Sequence, residues 1–276
     1  MPILTCDISQ SLWDALNKMA LENRETISHL VSRSLADTLQ IDHGTLFQVS
    51  TSGALVRGVL DGAVSVATLR EHGNFGLGTY ADLDGEMIVL DGIFFRVYSD
   101  GTVREADEDS LSPFAMVTHF DPETMTRLRP FATIGDLCVA LDTLRNSENL
   151  FYAVRLRGEF SHVHNRAACK VEAKVTLGEK GLEQGEFHSY NVVGTMIGFW
   201  TPNYVKTVGV TGWHFHFISD DQSHGGHVLG VAGKQIEAEV EHLDDFRIAL
   251  PETEAFLASD LNFDPTAILD KVERSS

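Results

Sequence analysis

Hydrophobic and polar positions divide the chain into a short helical opening and a long strand-rich remainder. Leu4-Thr5-Cys6-Asp7-Ile8 alternates and predicts a short strand. Leu12, Leu16, Met19 and Ala20 then recur at helical spacing behind Ser9 or Ser11 as a cap, which predicts a helix to about Glu22. After a turn at 22–25, Thr26 opens a second helix with Ile27, Leu30, Val31, Leu35 and Leu39 facing inward. From Ile41 the pattern turns to strands: residues 45–51, a hairpin at 86–97 about Asp91-Gly92, a third strand beyond Asp100-Gly101, and 114–120. Residues 63–70 suit a short helix or a strand, and the glycines of 72–80 predict a loop. Thr133 caps a helix carrying Leu137, Ala140, Leu141 and Leu144. Strands are predicted at 150–163, 195–200, 235–240 and 247–250, with a charged surface loop over 169–186. Residues 251–276 predict short helices, including one at 265–272.

One stretch carries chemistry as well as pattern: Trp213-His214-Phe215-His216-Phe217-Ile218. In a strand His214 and His216 share one face, while Trp213, Phe215 and Phe217 turn the other way, into a core. His227 lies eleven residues beyond His216 in Gly225-Gly226-His227-Val228-Leu229, after a polar turn at 219–223. If the two strands pair, three imidazoles converge, which is the ligand set of a catalytic zinc site with one position left open. A histidine pair at this spacing is commonly structural in a chain with twelve histidines; the third histidine and the apolar shell are what point to a metal. His224 is a rival third ligand, expected in the turn. A cupin-like site is an alternative for the pair, although Ser219-Asp220 matches its following carboxylate only loosely.

Composition narrows the classes. A chain of 276 residues with 43% hydrophobic and 22% charged content can bury a sizeable core. Its formal net charge of −19 repels phosphate backbones, so nucleic acid is not an expected partner. Cys6, Cys138 and Cys169 are too few and too widely spaced for a disulfide framework, and they suggest a reducing, cytoplasmic setting. The start lacks the pattern of a signal peptide, and no apolar run approaches transmembrane length, so no membrane partner is expected.

The expected organisation is a unit at 1–40 followed by a catalytic domain at 41–276, whose two halves meet near residue 150. The first unit resembles the ribbon-helix-helix fold, which implies an obligate dimer whose paired strands enter a DNA major groove. Its outward strand residues would be Thr5, Asp7 and Ser9, none of them basic, and the unit holds three basic side chains against five acidic ones. It therefore reads as an oligomerisation module, with a metabolite-sensing DNA-binding regulator as the competing reading; a gel shift at low salt separates the two.

Beyond residue 45 the chain resembles the acetolactate decarboxylase family. The likeness rests on Gly76-Leu77-Gly78-Thr79-Tyr80, on 83–92, on Asn149-Leu150-Phe151-Tyr152-Ala153-Val154-Arg155, on Gly194-Thr195-Met196-Ile197-Gly198-Phe199, and on the two histidine segments. These stand in the family's order across about residues 45–250. The resemblance implies an α/β, β-rich fold of two packed mixed-sheet halves, homodimeric or of higher homo-oligomeric order. It implies zinc-dependent conversion of 2-acetolactate to acetoin and carbon dioxide, within acetoin biosynthesis and the butanediol pathway. By the same resemblance the zinc ligands fall on His214, His216 and His227, the catalytic groups on Glu86, Arg166 and Glu273, and a substrate contact on Thr79. The chain departs from the family where Arg166 is followed by Ala167-Ala168-Cys169-Lys170, and residues 1–40 lie outside the likeness. Another zinc lyase or hydrolase acting on a small hydroxy or keto acid is the alternative, separable by acetoin release without esterase activity.

Overall fold

The computed structural model describes residues 4–23, 25–39, 42–171 and 184–274, without the side chains of residues 270 and 272–274. Two helices open the chain, α1 (Gln10–Asn23) and α2 (Ile27–Leu39). The Ser9 hydroxyl accepts from the Leu12 amide at 3.3 Å and the Thr26 hydroxyl from the His29 amide at 3.0 Å, so both helices are capped as predicted. The strand predicted ahead of them is absent, since residues 4–9 form neither strand nor helix. A strand needs a hydrogen-bonding neighbour, and a ribbon-helix-helix strand takes its neighbour from a second copy. The predicted apolar stripe is also largely uncovered: α1 buries no residue and α2 buries only His29, Leu30 and Ala36.

The remaining elements are β1 (Thr45–Val49), α3 (Ser52–Val56), β2 (Val64–Ser65), α4 (Val66–His72), β3 (Phe75–Thr79), β4 (Glu86–Leu90), β5 (Ile93–Val97) and β6 (Val103–Glu105). Then come β7 (Leu111–Ser112), β8 (Phe114–Thr118), β9 (Thr124–Arg127), α5 (Ile134–Asp142), β10 (Phe151–Ala168), β11 (Gln184–Thr201) and β12 (Gly212–Ser219). The chain closes with β13 (Gly225–Leu243), β14 (Asp245–Ala249), α6 (Glu254–Ala258) and α7 (Thr266–Arg274).

Two large sheets result, in a strand-rich mixed α/β fold. The first has the order β14-β1-β8-β3-β4-β5-β6 and is mixed, because β1 pairs parallel with β14 and antiparallel with β8. The second has the order β10-β11-β12-β13-β9, and β13 pairs back onto β10, so these four long strands close on themselves. Its ladders are antiparallel, so only one of the two expected mixed sheets is mixed. The boundary expected near 150 falls just before β10, yet β9 and β14 each join the sheet built mainly by the other half.

The Asp91-Gly92 hairpin forms as predicted, with φ of +50° and +81°. The loop predicted at 72–80 is instead strand β3, in the middle of the first sheet. A Cβ on Gly78 would stand 2.4 Å from the Phe114 carbonyl oxygen, so its glycines permit a close ladder where sequence alone suggests a break. Residues 225–243, predicted as two separate pieces, form one strand, and β10 extends five residues beyond its predicted end at Val163.

Packing follows from the alternation along each strand. Leu46, Leu77, Ile88 and Met116 of the first sheet meet Ala153, Ile197, Phe199 and Ile218 of the second to form the layer between them. Inside the closed ladder lie Val154, Phe160, Met196, Phe215, Phe217 and Val228, with Leu137 and Leu141 of α5 covering one end. Fully burying a side chain such as Phe217 contributes about 1.5–3 kcal/mol, so the choice of face along β12 is strongly fixed.

Candidate metal centre and active site

The site begins with the two faces of β12. Phe215 and Phe217 occupy the interior of the closed ladder, where Phe217 meets Phe160 edge-on at 5.4 Å. That leaves His214 and His216 on the opposite face, as the alternation predicts. His216 stands directly across from His227 on β13, and His227 directly across from Arg166 on β10. One row running across three strands thus brings together residues far apart in sequence.

The turn between β12 and β13 sets that register. The Ser219 hydroxyl donates to the Asp221 carboxylate at 2.6 Å, as do the Ser223 hydroxyl at 2.7 Å and the Ser223 amide at 3.1 Å. These hydrogen bonds, that of Ser219 foremost, pull the Asp221 carboxyl down to about 2. Gly226 follows at φ +132°, where a Cβ would lie 2.4 Å from the Arg166 carbonyl oxygen. Only glycine lets β13 approach β10 this closely. His224 stays exposed on the turn, with its Nδ1 2.6 Å from the Ser223 hydroxyl, whereas His227 is buried.

The three imidazoles are enclosed, at 9%, 1% and 3% exposure for His214, His216 and His227. One ligand atom from each lies within 4.8 Å of the other two, and His214 Nε2 is 2.9 Å from His227 Nδ1. His216 Nδ1 donates to the Met87 carbonyl at 2.8 Å. That bond fixes the ring's tautomer and leaves the Nε2 lone pair for ligation. Three enclosed nitrogen donors with one tautomer already set fit a divalent transition metal of the zinc class. The Met87 carbonyl has no sequence signal; it becomes a partner only when the two sheets stack.

The first sheet supplies the acid. Glu86 opens β4 opposite Thr79 of β3 and is buried at 7% exposure. Its Oε2 is 3.7 Å from His216 Nε2, and its Oε1 is 3.7 Å from Arg166 Nη1. Arg166 is itself 4% exposed, with Ala167 and Ala168 buried just after it. The Thr79 hydroxyl donates to the Gly85 carbonyl at 2.9 Å, so toward any ligand it can only accept. The side chain of Glu273 lies outside the described residues; helix α7, which carries it, is pinned by Leu269 against Val56 and Val210.

A cavity of about 460 Å³ reaches His214 and His227 between α5 and the ends of β12 and β13. Its wall includes Trp213 and Asp142, and the Trp213 indole N–H donates to the Asp142 carboxylate at 2.9 Å. Arg145 also donates to Asp142, at 2.7 Å, and its guanidinium lies 3.5 Å from the Trp200 ring centroid. Sequence reasoning missed this wall, because nothing in the spacing of Asp142 and Arg145 signals that Trp213 and Trp200 come to meet them.

Comparison with known proteins agrees with the geometry. A family model described as alpha-acetolactate decarboxylase matches residues 46–263. An alpha-acetolactate decarboxylase of Methanosarcina mazei is 38% identical over 253 residues, covering 91% of this chain and 86% of that protein. One from Brevibacillus brevis is 38% identical over 229 residues, covering 83% and 80%. The crystal structure of alpha-acetolactate decarboxylase from Bacillus subtilis strain 168 superposes with a TM-score of 0.81 at 33% identity, covering 84% of this chain and all of that one.

Proposed function

Because the chain belongs to the alpha-acetolactate decarboxylase family, whose members are carboxy-lyases, we propose that it converts 2-acetolactate to acetoin and carbon dioxide where Glu86 and Arg166 meet His214, His216 and His227. The observation that carries this reading is the row His216–His227–Arg166, with Glu86 3.7 Å from both the first and the last. A zinc ion held by the three histidines supplies, when bound, the Lewis acidity that makes the ketone beside the breaking bond an electron acceptor.

The chain's own residues do the rest. The three imidazoles are neutral ligands and add no negative charge. The Arg166 guanidinium, buried and restricted in its rotation, holds the substrate carboxylate or the developing oxyanion through its planar pair of donors. The Thr79 hydroxyl, already donating to Gly85, accepts from the substrate hydroxyl. Glu86 delivers a proton to the carbon that carbon dioxide leaves, with Glu273 as the second carboxyl available for that role. Burial of the site excludes water and strengthens each of these charge interactions.

The assembly belongs to the same proposal. Leu12, Trp13, Met19, Leu21, Leu35 and Leu39 of the two leading helices are exposed, and a second copy of the chain is the partner we assign to them. Among the described residues no helix is long and apolar enough to cross a membrane; with cysteines few and widely spaced, a cytoplasmic homo-oligomer is the expected form.

The test is an acetoin colour assay on purified, zinc-loaded protein given 2-acetolactate, with ester hydrolysis and carbon dioxide hydration measured alongside. Acetoin formation without the other two supports the reading. Hydrolysis or hydration without acetoin overturns it.

A further inference from the structure

We propose that the chain carries a second divalent transition-metal site, formed by His29, His43 and Asp121 where helix α2 meets the catalytic body. One ligand atom from each of these residues lies within 4.8 Å of the other two. His29 projects from α2 and is 4% exposed, so an imidazole on a surface helix is almost wholly enclosed. Its ring stands 5.1 Å from that of His43 and 5.4 Å from that of His242. His43 Nε2 is 3.2 Å from the Asp121 carboxylate. Nδ1 of His29 and Nδ1 of His43 are both buried and meet no hydrogen-bond partner among the described residues.

A buried imidazole nitrogen without a partner is costly in a purely structural cluster, and a metal ion removes that cost. Two imidazoles and a carboxylate suit zinc, cobalt, nickel or copper better than calcium or magnesium. The surroundings are those of a ligand set held in place from behind. The Asp121 amide donates to the Glu241 carboxyl at 3.0 Å, and both the His242 amide and its ring face Glu123, at 2.9 and 2.8 Å. Such outer contacts orient ligands.

The position gives the site a purpose of its own. His29 and His43 precede residues 46–263, the span that matches the decarboxylase family, so the decarboxylation chemistry does not call on them. Helix α2 has few buried contacts with the body. A metal bound from both sides would clamp the helix that presents the uncovered apolar stripe, coupling metal supply to assembly instead of turnover.

The experiment counts metal. Chelator-stripped full-length protein is titrated with Co²⁺ and read in the visible spectrum, and bound zinc after reloading and dialysis is measured by elemental analysis. Two equivalents per chain are expected for the unaltered protein. His29→Phe keeps a ring in the stack and should bind one equivalent while forming acetoin at the unaltered rate; Asp121→Asn should do the same. His216→Ala should also retain one equivalent, but without activity. A single equivalent in the unaltered protein overturns the second site, as do two equivalents in a folded His29→Phe or Asp121→Asn protein. Should one of these variants not fold, the other variant and the cobalt count on the unaltered protein decide.

Discussion

Glu86→Gln tests the proposed chemistry most directly. Glutamine keeps the size and planarity of the side chain at a position enclosed by β3, β4 and the histidine row, so the backbone has no reason to move. What is lost is one proton-transfer group and, whenever the carboxyl is ionised, one negative charge. The charge sits 3.7 Å from Arg166 Nη1. At an effective dielectric of about 20 that attraction is at most about 4–5 kcal/mol, and the relief of burying an uncharged amide offsets part of it. Stability should therefore fall by less than that bound, and the protein should remain folded at 25 °C. Removing a general acid typically costs about 10²–10⁴-fold in rate, equivalent to about 3–5 kcal/mol of barrier. The assay is kcat for acetoin formation per folded, metal-loaded chain, with zinc content and melting temperature measured on the same sample. A fall of about 10²–10⁴ in kcat with zinc retained is the expected outcome. A kcat within about threefold of the unaltered enzyme would refute the role of Glu86. Glu273→Gln belongs in the same experiment, since a large loss there alone would move the proton to that residue.

Other outcomes follow from the same geometry. His216→Ala should lose one zinc equivalent and more than about 100-fold in activity together, whereas His224→Ala, altered on the exposed turn, should lose neither; full zinc in the His216 variant would reject the ligand set. The hydrogen-bonded Asp221 carboxyl titrates at about 2, below its ordinary 3.8, so its stabilisation is present above about pH 4 and is lost as pH falls through about 2. Asp221→Asn should therefore lower the urea midpoint at pH 6 and match the unaltered protein near pH 2, and a pH-independent difference would contradict this account. Deleting residues 1–40 should leave much of the rate per site but reduce the mass seen by light scattering, and an unchanged oligomer would assign the two helices another role.

What the sequence determined by itself was local. The period of two along 213–218 separates the histidines from the aromatics, and this holds in the structure because Phe215 and Phe217 cannot be moved to the other face without exposing them. Capping by Ser9, Thr26 and Thr133 and the Asp91-Gly92 hairpin were also legible, because each is decided within a few residues. The joint order of the segments carried the resemblance to the family, and the family match bears it out.

Tertiary structure decided what depends on a neighbour. The glycines of β3 suggest a loop until β8 lies against them, when the missing Cβ atoms become the condition for a close ladder. Leu4 to Ile8 alternates like a strand but stays irregular, since among the described residues no second strand lies beside it. The predicted strand ends at Val163, short of Arg166; the residue's place opposite His227 follows from β10 running on to Ala168 and from Gly226 allowing the approach. His29 reads as one polar residue on an amphipathic helix; only the fold brings His43, from the linker, and Asp121, from the loop after β8, to its side. Side-chain periodicity is written into a sequence because it concerns bonds a few residues long. Convergence of residues 29, 43 and 121, or of 86, 166 and 216, is not, because it depends on how whole sheets and helices stack.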